Sequence, residues 1–597
     1  DARDEAASRG TWAVEGAHGD PAFYPVGEPG VHKLSALAQT VGDATYTDDK
    51  PRPAGCLFGA FALSTGVGTL EALDVSAALA YDADAVVAVL TAADLEAAGF
   101  ELALSAVPSN EEKVLLSVGD RVPHVGARLA LVLATDRVVA EDASRLVAAT
   151  IAGSSSSSDA PAVTSIADAV AADSFFSKTP GKLTKGDAST ALAKADVVAS
   201  GVATAGHQYH FYMETQTCLA TPVASTNGVA GMTIEVSTQN PGGVASAAAK
   251  CLGVPETAVE ARMDRAGGGY GGKASRSTPC ACAAACAAAL TKAPVSIALP
   301  LLDNMAMLGS RRPHTFEFTV GASKTGVIEA VTGTSYALQG CDSDLGGLAS
   351  AMDLSRSLDG PYNVANWDVE GYCCKTDTPS NTYCRAPIML PGHLLIEQVV
   401  EAVAEATGLP AQVVRDVNVY RPGDVTLGGQ TLGGREIAQE TSQESNNDAC
   451  TLERCVREAK RRVGFAALAA EVAAFNATTK FVKRGLAVAP LRYAMSSASG
   501  YAARVTVRRD GSVLVQQSGC EIGQGLNVKQ AQVAAATLGC DLADVAVDAV
   551  SSTVSTGATG GSTTSEGNAA SVRLACEAIL DQMGAGDGGG DARAAIA

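Results

Sequence analysis

The sequence predicts a multi-domain α+β protein: a small α+β domain followed by two large mixed α/β domains, the second incomplete. Three observations predict it. Short apolar runs of strand character alternate with amphipathic and alanine-rich helical runs along most of the chain. Two polar tracts, Gly153-Ser-Ser-Ser-Ser-Ser158 and Gln439-Glu-Thr-Ser-Gln-Glu-Ser-Asn-Asn447, interrupt that texture as linkers do. The 597 residues also exceed one core, at roughly 150 residues per domain.

In chain order, residues 1–30 are polar and without a sustained period, and read as a linker or frayed end. Residues 31–150 form the small domain. Its strand runs are Cys56-Leu-Phe-Gly-Ala-Phe-Ala-Leu63, Ala85-Val-Val-Ala-Val-Leu90 and Arg128-Leu-Ala-Leu-Val-Leu133, with an amphipathic helix over 136–149. A Ser-rich linker occupies 151–178. Residues 179–434 form the first large domain, with a helix over 394–407 closed by Gly408 and Pro410. Residues 435–597 form the second, where Asp510-Gly511 between two alternating runs predicts a hairpin. One order of elements recurs: glycine loop, alanine-rich helix, Leu-Gly, strand, over 239–263 and again over 523–550.

The net charge of −20, with no basic stripe, argues against nucleic acid as partner. No apolar run is long enough to span a bilayer, and the first thirty residues are too polar for a signal peptide, so a cytoplasmic protein is expected. Fifteen cysteines, an odd number in a large chain, read as buried thiols of a reducing compartment. No C-x2-C pair or iron–sulfur run occurs, which puts any redox cluster on a missing segment or another chain.

The densest chemical signal is Asp264-Arg-Ala-Gly-Gly-Gly-Tyr-Gly-Gly-Lys273, between an apparent strand and a helix expected to start at Ser277 with Pro279 in its first turn. Glycines packed this closely let backbone amides approach a ligand, and a helix start favours an anion. The run satisfies G-x-G-x-x-G, but no acidic residue stands about 20 positions on to hold a ribose. It also opens like a P-loop, yet Ala274 stands where Ser or Thr would hold magnesium. Four further loops accompany it: residues 206–215 with Gln208, 379–387 with Arg385, 519–525 with Gln524 and Gly525, and 559–566 with Gly560, Gly561, Ser562 and Thr564. They offer amides, hydroxyls and one arginine. Such a set suits a large polar cofactor that carries the chemistry itself.

Taken together, these loops resemble the molybdenum-cofactor region of the xanthine dehydrogenase and aldehyde oxidase family, in order, over residues 31–583. Residues 42–49, Ser237-Thr-Gln-Asn240, Arg311-Arg-Pro-His314 and Phe481-Val-Lys-Arg-Gly485 add to the likeness. The resemblance implies a hammerhead domain followed by two molybdopterin-binding domains, and a homodimer. It gives Gln208 a place near the metal and sets Gly269, Tyr270 and Gly271 facing it, with Arg385 beside the cofactor. Gln524, Gly525, Gly560, Gly561, Ser562 and Thr564 would hold the pterin and its phosphate tail. Molybdenum would be held through the pterin rather than by side chains. The family reaction is hydroxylation of an aldehyde or an electron-poor ring carbon, with water as the oxygen source and a glutamate as base. Electrons leave through [2Fe–2S] centres and FAD, expected on a missing segment or a partner chain.

The departures narrow the substrate. Ala274 and Asp353 stand at the purine-clamping positions, and Pro387 and Ser497 where two phenylalanines usually sandwich a flat ring. This points to an aldehyde-oxidase-like pocket. The chain stops at Ala597, before the family's catalytic glutamate, so no base is assigned; Glu521 and Glu566 are read as backbone-capping or solvated groups. Thr382 stands where a copper-linked variant needs cysteine, and no G-x-S-x-G supports serine hydrolysis. Two rivals stay open: a metal site at His207-x2-His210-x3-Glu214, weakened by the strand character of Phe211 and Tyr212, and a non-catalytic relic of the fold acting as a binding or assembly module.

Overall fold

The computed structural model describes residues 25–26, 31–105, 111–153, 162–224, 230–344, 357–433, 450–493, 500–554 and 557–583. The expected strand runs form Leu57–Leu63, Val86–Thr91 and Arg128–Ala134, but they do not close a separate small sheet. They continue an eight-stranded mixed sheet whose spatial order is Val550–Ser551, Val259–Met263, Gly231–Val236, Thr217–Val223, Val295–Ala298, Leu57–Leu63, Arg128–Ala134, Val86–Thr91. The join is parallel, Leu57 opposite Val295 and Phe58 opposite Ser296. One sheet therefore runs from the small domain through the first large domain to the second.

Arg128–Ala134 is buried along its whole length because that sheet is covered on both faces. One cover is the helix Thr278–Thr291. Cys280 to Ala288 are all at most 1% exposed, and side chains this small let a helix apolar on every side lie between the sheet and its neighbour Pro241–Leu252. Ser277 does not cap it. Its hydroxyl donates to Thr238 Oγ1 (2.8 Å) and the Lys273 carbonyl (3.3 Å), tying the helix start to the loops beside it.

A second, five-stranded sheet runs Gly181–Lys185, Asn366–Lys375, Ile328–Gly340, His314–Ala322, Val197–Ala205. The helix Met389–Thr407, stopped by Gly408 at φ 69°, packs its Leu395, Ile396, Val399 and Val403 onto this layer's core. The third layer is the hairpin Ala503–Val507 and Val513–Gln517 with Val545–Val547, under the helices Leu526–Leu538 and Thr564–Gln582. Gly511 takes φ 83° in the hairpin turn. The amphipathic stretch over 136–149 splits into a helix, Arg137–Ser144, and an edge strand, Ala148–Ala152.

The repeated order of elements is structural. Pro241–Leu252, Gly253 in the left-handed region, a 3-10 turn and Val259–Met263 are matched by Leu526–Leu538, Gly539, a 3-10 turn and Val545–Val547. The two copies meet where Met263 pairs with Val550.

Candidate cofactor site

Residues 264–273 leave the end of Val259–Met263 as predicted and turn back through Tyr270 at φ 53° and Gly271 at φ 103°. Only glycine fits at 271, since a Cβ there would stand 2.5 Å from the Tyr383 carbonyl. That closeness brings in Arg385. Its amide donates to the Tyr270 carbonyl (2.9 Å), its guanidinium lies 4.2 Å over the Tyr270 ring, and Nη2 donates to the His210 carbonyl (3.2 Å). Arg385 and Ala386 both hold positive φ, a strained presentation of one cation at the surface. Gly269, Tyr270, Gly271 and Arg385 thus lie together as one wall. Ala274 and Pro387 flank it, half-buried and without charge. Asp353 and Ser497 lie outside the described residues.

Gln208 is placed at the edge of this wall with its carbonyl oxygen engaged: Arg311 Nε (3.0 Å) and Nη2 (2.8 Å) both donate to Oε1. Arg311 also donates to the Ala386 and Arg385 carbonyls, so the pair braces the arginine loop.

Gln239, absent from the expected site residues, holds the centre. Its Oε1 accepts from the Gly271 amide (2.9 Å) and the Lys273 amide (3.3 Å). Its Nε2 donates to the Thr559 carbonyl (2.8 Å), and its own carbonyl accepts from the Thr559 amide (2.7 Å). One buried side chain therefore joins the first glycine loop to Thr559, which lies 320 residues beyond Gln239. A second tie, Ala266 amide to Glu521 carbonyl (3.0 Å), joins the first loop to residues 519–525. The signal for Gln239 was in plain view: Ser237-Thr-Gln-Asn240 puts four polar residues between a buried strand and a helix with proline in its first turn.

Beyond Thr559 the chain opens. Gly560 donates to Thr564 Oγ1 (3.1 Å), Gly561 and Ser562 take φ 66° and 59°, and Thr563 leads into the helix Thr564–Gln582. Among the described residues nothing accepts from the Gly561 and Ser562 amides, and both residues are exposed. Successive unpaired amides in a turn ahead of a helix N-terminus favour an anion. Gln524 is exposed and folded on its own turn, accepting from Ile522 (2.7 Å) and donating to the Cys520 carbonyl (2.9 Å), while Gly525 starts the helix Leu526–Leu538. Glu521 accepts from the Gly523, Gly525 and Asn527 amides, the backbone-capping role expected of it. Glu566 is exposed in the first turn of its helix.

The His207/His210/Glu214 alternative is not assembled. Residues 206–216 form a loop, not the strand expected there. His207 Nδ1 lies 3.0 Å from Ser310 Oγ, and His210 Nε2 donates to the Tyr383 carbonyl (2.6 Å). Burial, with Arg311 and Arg385 nearby, holds the His210 imidazole below its usual range. Glu214 turns inward to Lys273 Nζ (3.0 Å) and the Gly267 amide (2.7 Å). Among the described residues no group of three or more His, Cys, Asp or Glu is placed to hold a metal ion.

The donor set fits molybdopterin. The open amides of Gly561 and Ser562 suit its phosphate, and the Tyr270–Arg385 wall offers a flat polar face to its ring system. The comparisons agree. Residues 41–152 match the aldehyde oxidase and xanthine dehydrogenase a/b hammerhead domain, and residues 172–419 and 458–588 each match a molybdopterin cofactor-binding domain. Xanthine dehydrogenase of Emericella nidulans is 32% identical over 94% of this chain and 39% of its own length; aldehyde oxidase 2 of Mus musculus is 32% identical over 94% and 40%. Aldehyde oxidoreductase of Desulfovibrio desulfuricans shares the fold with a TM-score of 0.78 at 20% identity, over 93% of this chain and 60% of that one. The chain spans about two fifths of the length of these sequence relatives. It belongs to the xanthine dehydrogenase and aldehyde oxidase family, as the hammerhead and molybdopterin-binding region of that family.

Proposed function

We propose that this region forms the substrate-oxidising site of a molybdenum hydroxylase acting on small aldehydes or N-heterocycles. Its electrons pass to [2Fe–2S] and FAD centres on other segments or a partner chain. The observation that carries the reading is the Gln239 clasp, which holds the Tyr270–Gly271 wall against the open amides that follow Thr559. When bound, molybdopterin supplies the two-electron oxidation of a substrate carbon with water as the oxygen source. The chain's own residues hold and orient. The open amides of Gly561 and Ser562 receive the phosphate, Arg385 stacked on Tyr270 lines the ring face, and Gln208 fixes Arg311 beneath the arginine loop.

Ala274 and Pro387 put no charge and no aromatic face beside the wall, which favours an aldehyde over a purine. No base is assigned, because the Glu521 carboxylate is committed to three backbone amides. Fifteen free cysteines support a reducing compartment, hence the cytoplasm, and among the described residues no helix is long and apolar enough to cross a membrane. A homodimer is carried by family membership alone.

The test is turnover by the holoenzyme isolated from its source, with an aromatic aldehyde and with xanthine, using an artificial electron acceptor. The expected result is oxidation of the aldehyde with xanthine turned over more slowly. A preference for xanthine would overturn the substrate assignment, and inactivity on both with the cofactor present would overturn the function.

A further inference from the structure

Among the described residues Lys273 is the one lysine that is fully buried, at 0% exposure, and it lies under the glycine loop rather than facing a ligand. A buried ammonium persists only when paired and hydrogen-bonded. Its Nζ donates to Glu214 Oε2 (3.0 Å) and Ser237 Oγ (2.7 Å) and sits 4.9 Å over the Tyr212 ring. Glu214 is in turn saturated, with Oε2 accepting also from the Gly267 amide (2.7 Å) and the Ser237 hydroxyl, and Oε1 from the Thr47 amide (3.3 Å) of the small domain. The backbone of Lys273 meets Gln239 from both sides, its amide donating to Oε1 (3.3 Å) and its carbonyl accepting from the Gln239 amide (2.9 Å). Gln239 then grips Thr559 at both backbone groups, and Thr559 Oγ1 accepts from the Cys520 amide (2.8 Å).

We propose that the buried Lys273–Glu214 pair positions both loops of the cofactor site at once: it locks the turn 267–272 and, through Gln239, sets residues 559–564 against it. The sequence reading saw this lysine only as the end of a failed P-loop. Its charge is turned away from the ligand side and spent inside the protein on geometry. The proposal rests on the functional reading only in calling these the cofactor loops; the contacts themselves are independent of any cofactor.

The experiment is hydrogen exchange on the full-length chain as isolated, followed at peptides covering 265–275 and at the Thr559 amide, with Arg128–Ala134 as internal reference. Lys273→Met should speed exchange at both loops by about a hundredfold or more, because one buried charge is left unpaired. The reference strand should be unchanged. Glu214→Gln should do the same from the other side. The double variant, Glu214→Gln with Lys273→Met, removes both charges while its amide oxygen still accepts from Gly267, and it should restore protection at both loops. Where Lys273→Met fails to accumulate as folded protein, Glu214→Gln is read in its place, and the double variant decides. Faster exchange confined to 265–275 would overturn the coupling. A double variant no better protected than the single ones would overturn the role of the charge pair.

Discussion

Residues 267–273 and 559–564 both lead toward the N-terminus of a long helix, yet they are finished differently. The first is packed from beneath by Glu214, Gln239 and the Tyr383 carbonyl, so that added Cβ atoms at Gly267, Gly269 or Gly271 would collide with them. The second faces outward: a Cβ at Gly560 would meet nothing within 4 Å, and at Gly561 only the Thr563 hydroxyl, at 3.6 Å. Sequence alone makes the two look alike. The difference teaches that a glycine can be required by the protein or be left free for a ligand, and the neighbours decide which.

The comparison can be broken by substitution. The largest effect should come from Gly271→Ala, which adds a Cβ at φ 103° against a backbone carbonyl. It should cost about 3 kcal/mol or more of stability in thermal unfolding and displace Arg385 with it. Arg276→Met should cost about 3 kcal/mol in urea unfolding. Arg276 follows the first loop, is buried, and reaches Glu112 of the small domain (2.9 Å) and Asp344 (2.8 Å). Burial pushes the Glu112 carboxyl up, but Arg276 and Arg128 outweigh it and hold it at about 2, so it keeps its charge well into the acid range.

A pH series probes the buried interior of the first large domain, away from either loop. Burial, with Arg312 and Arg311 beside it, pulls the His314 imidazole down to about 3 from its usual 6.5. The unfolded chain then binds the extra proton between those values. Stability is full above pH 6.5 and falls by about 1.4 kcal/mol per unit as pH drops toward 3. His314→Gln should lose that part of the slope, about 2 kcal/mol between pH 6.5 and 5, in urea midpoints at the two values. In the open loop, Gly560→Ala should leave stability within about 0.5 kcal/mol yet lower the molybdenum retained on dialysis. Glu566→Gln should be smallest of all, within about 0.5 kcal/mol and without effect on retention.

Much of the architecture was legible because local chemistry and fold agree. Gly408 stops its helix and Gly511 turns its hairpin as their positions imply, and the repeated glycine loop, helix and strand exist in both halves. What escaped was long-range. Nothing local to Leu57 says that it will pair with Val295 and merge the small domain into a larger sheet. Gln208 stood in the more aromatic and distinctive motif, whereas Gln239 stood in a visible polar strand end whose partner, 320 residues away, was not legible. Lys273 read only as the end of a failed P-loop, because nothing beside it in sequence shows that it is buried against Glu214. The spacing of His207, His210 and Glu214 suggested a helical face, and the loop they occupy turns each toward a different partner.

The claim on which the rest depends is that the two loops, joined by Gln239, are one molybdopterin site. It is tested most directly by molybdenum and pterin content per chain, measured on the protein from its native source and on Gln239→Ala produced there. The expected result is about one of each per chain in the wild type and less than about a tenth of that in the variant. Wild-type protein that carries zinc or no metal, or a Gln239→Ala protein that keeps the full complement of molybdenum and pterin, would contradict it.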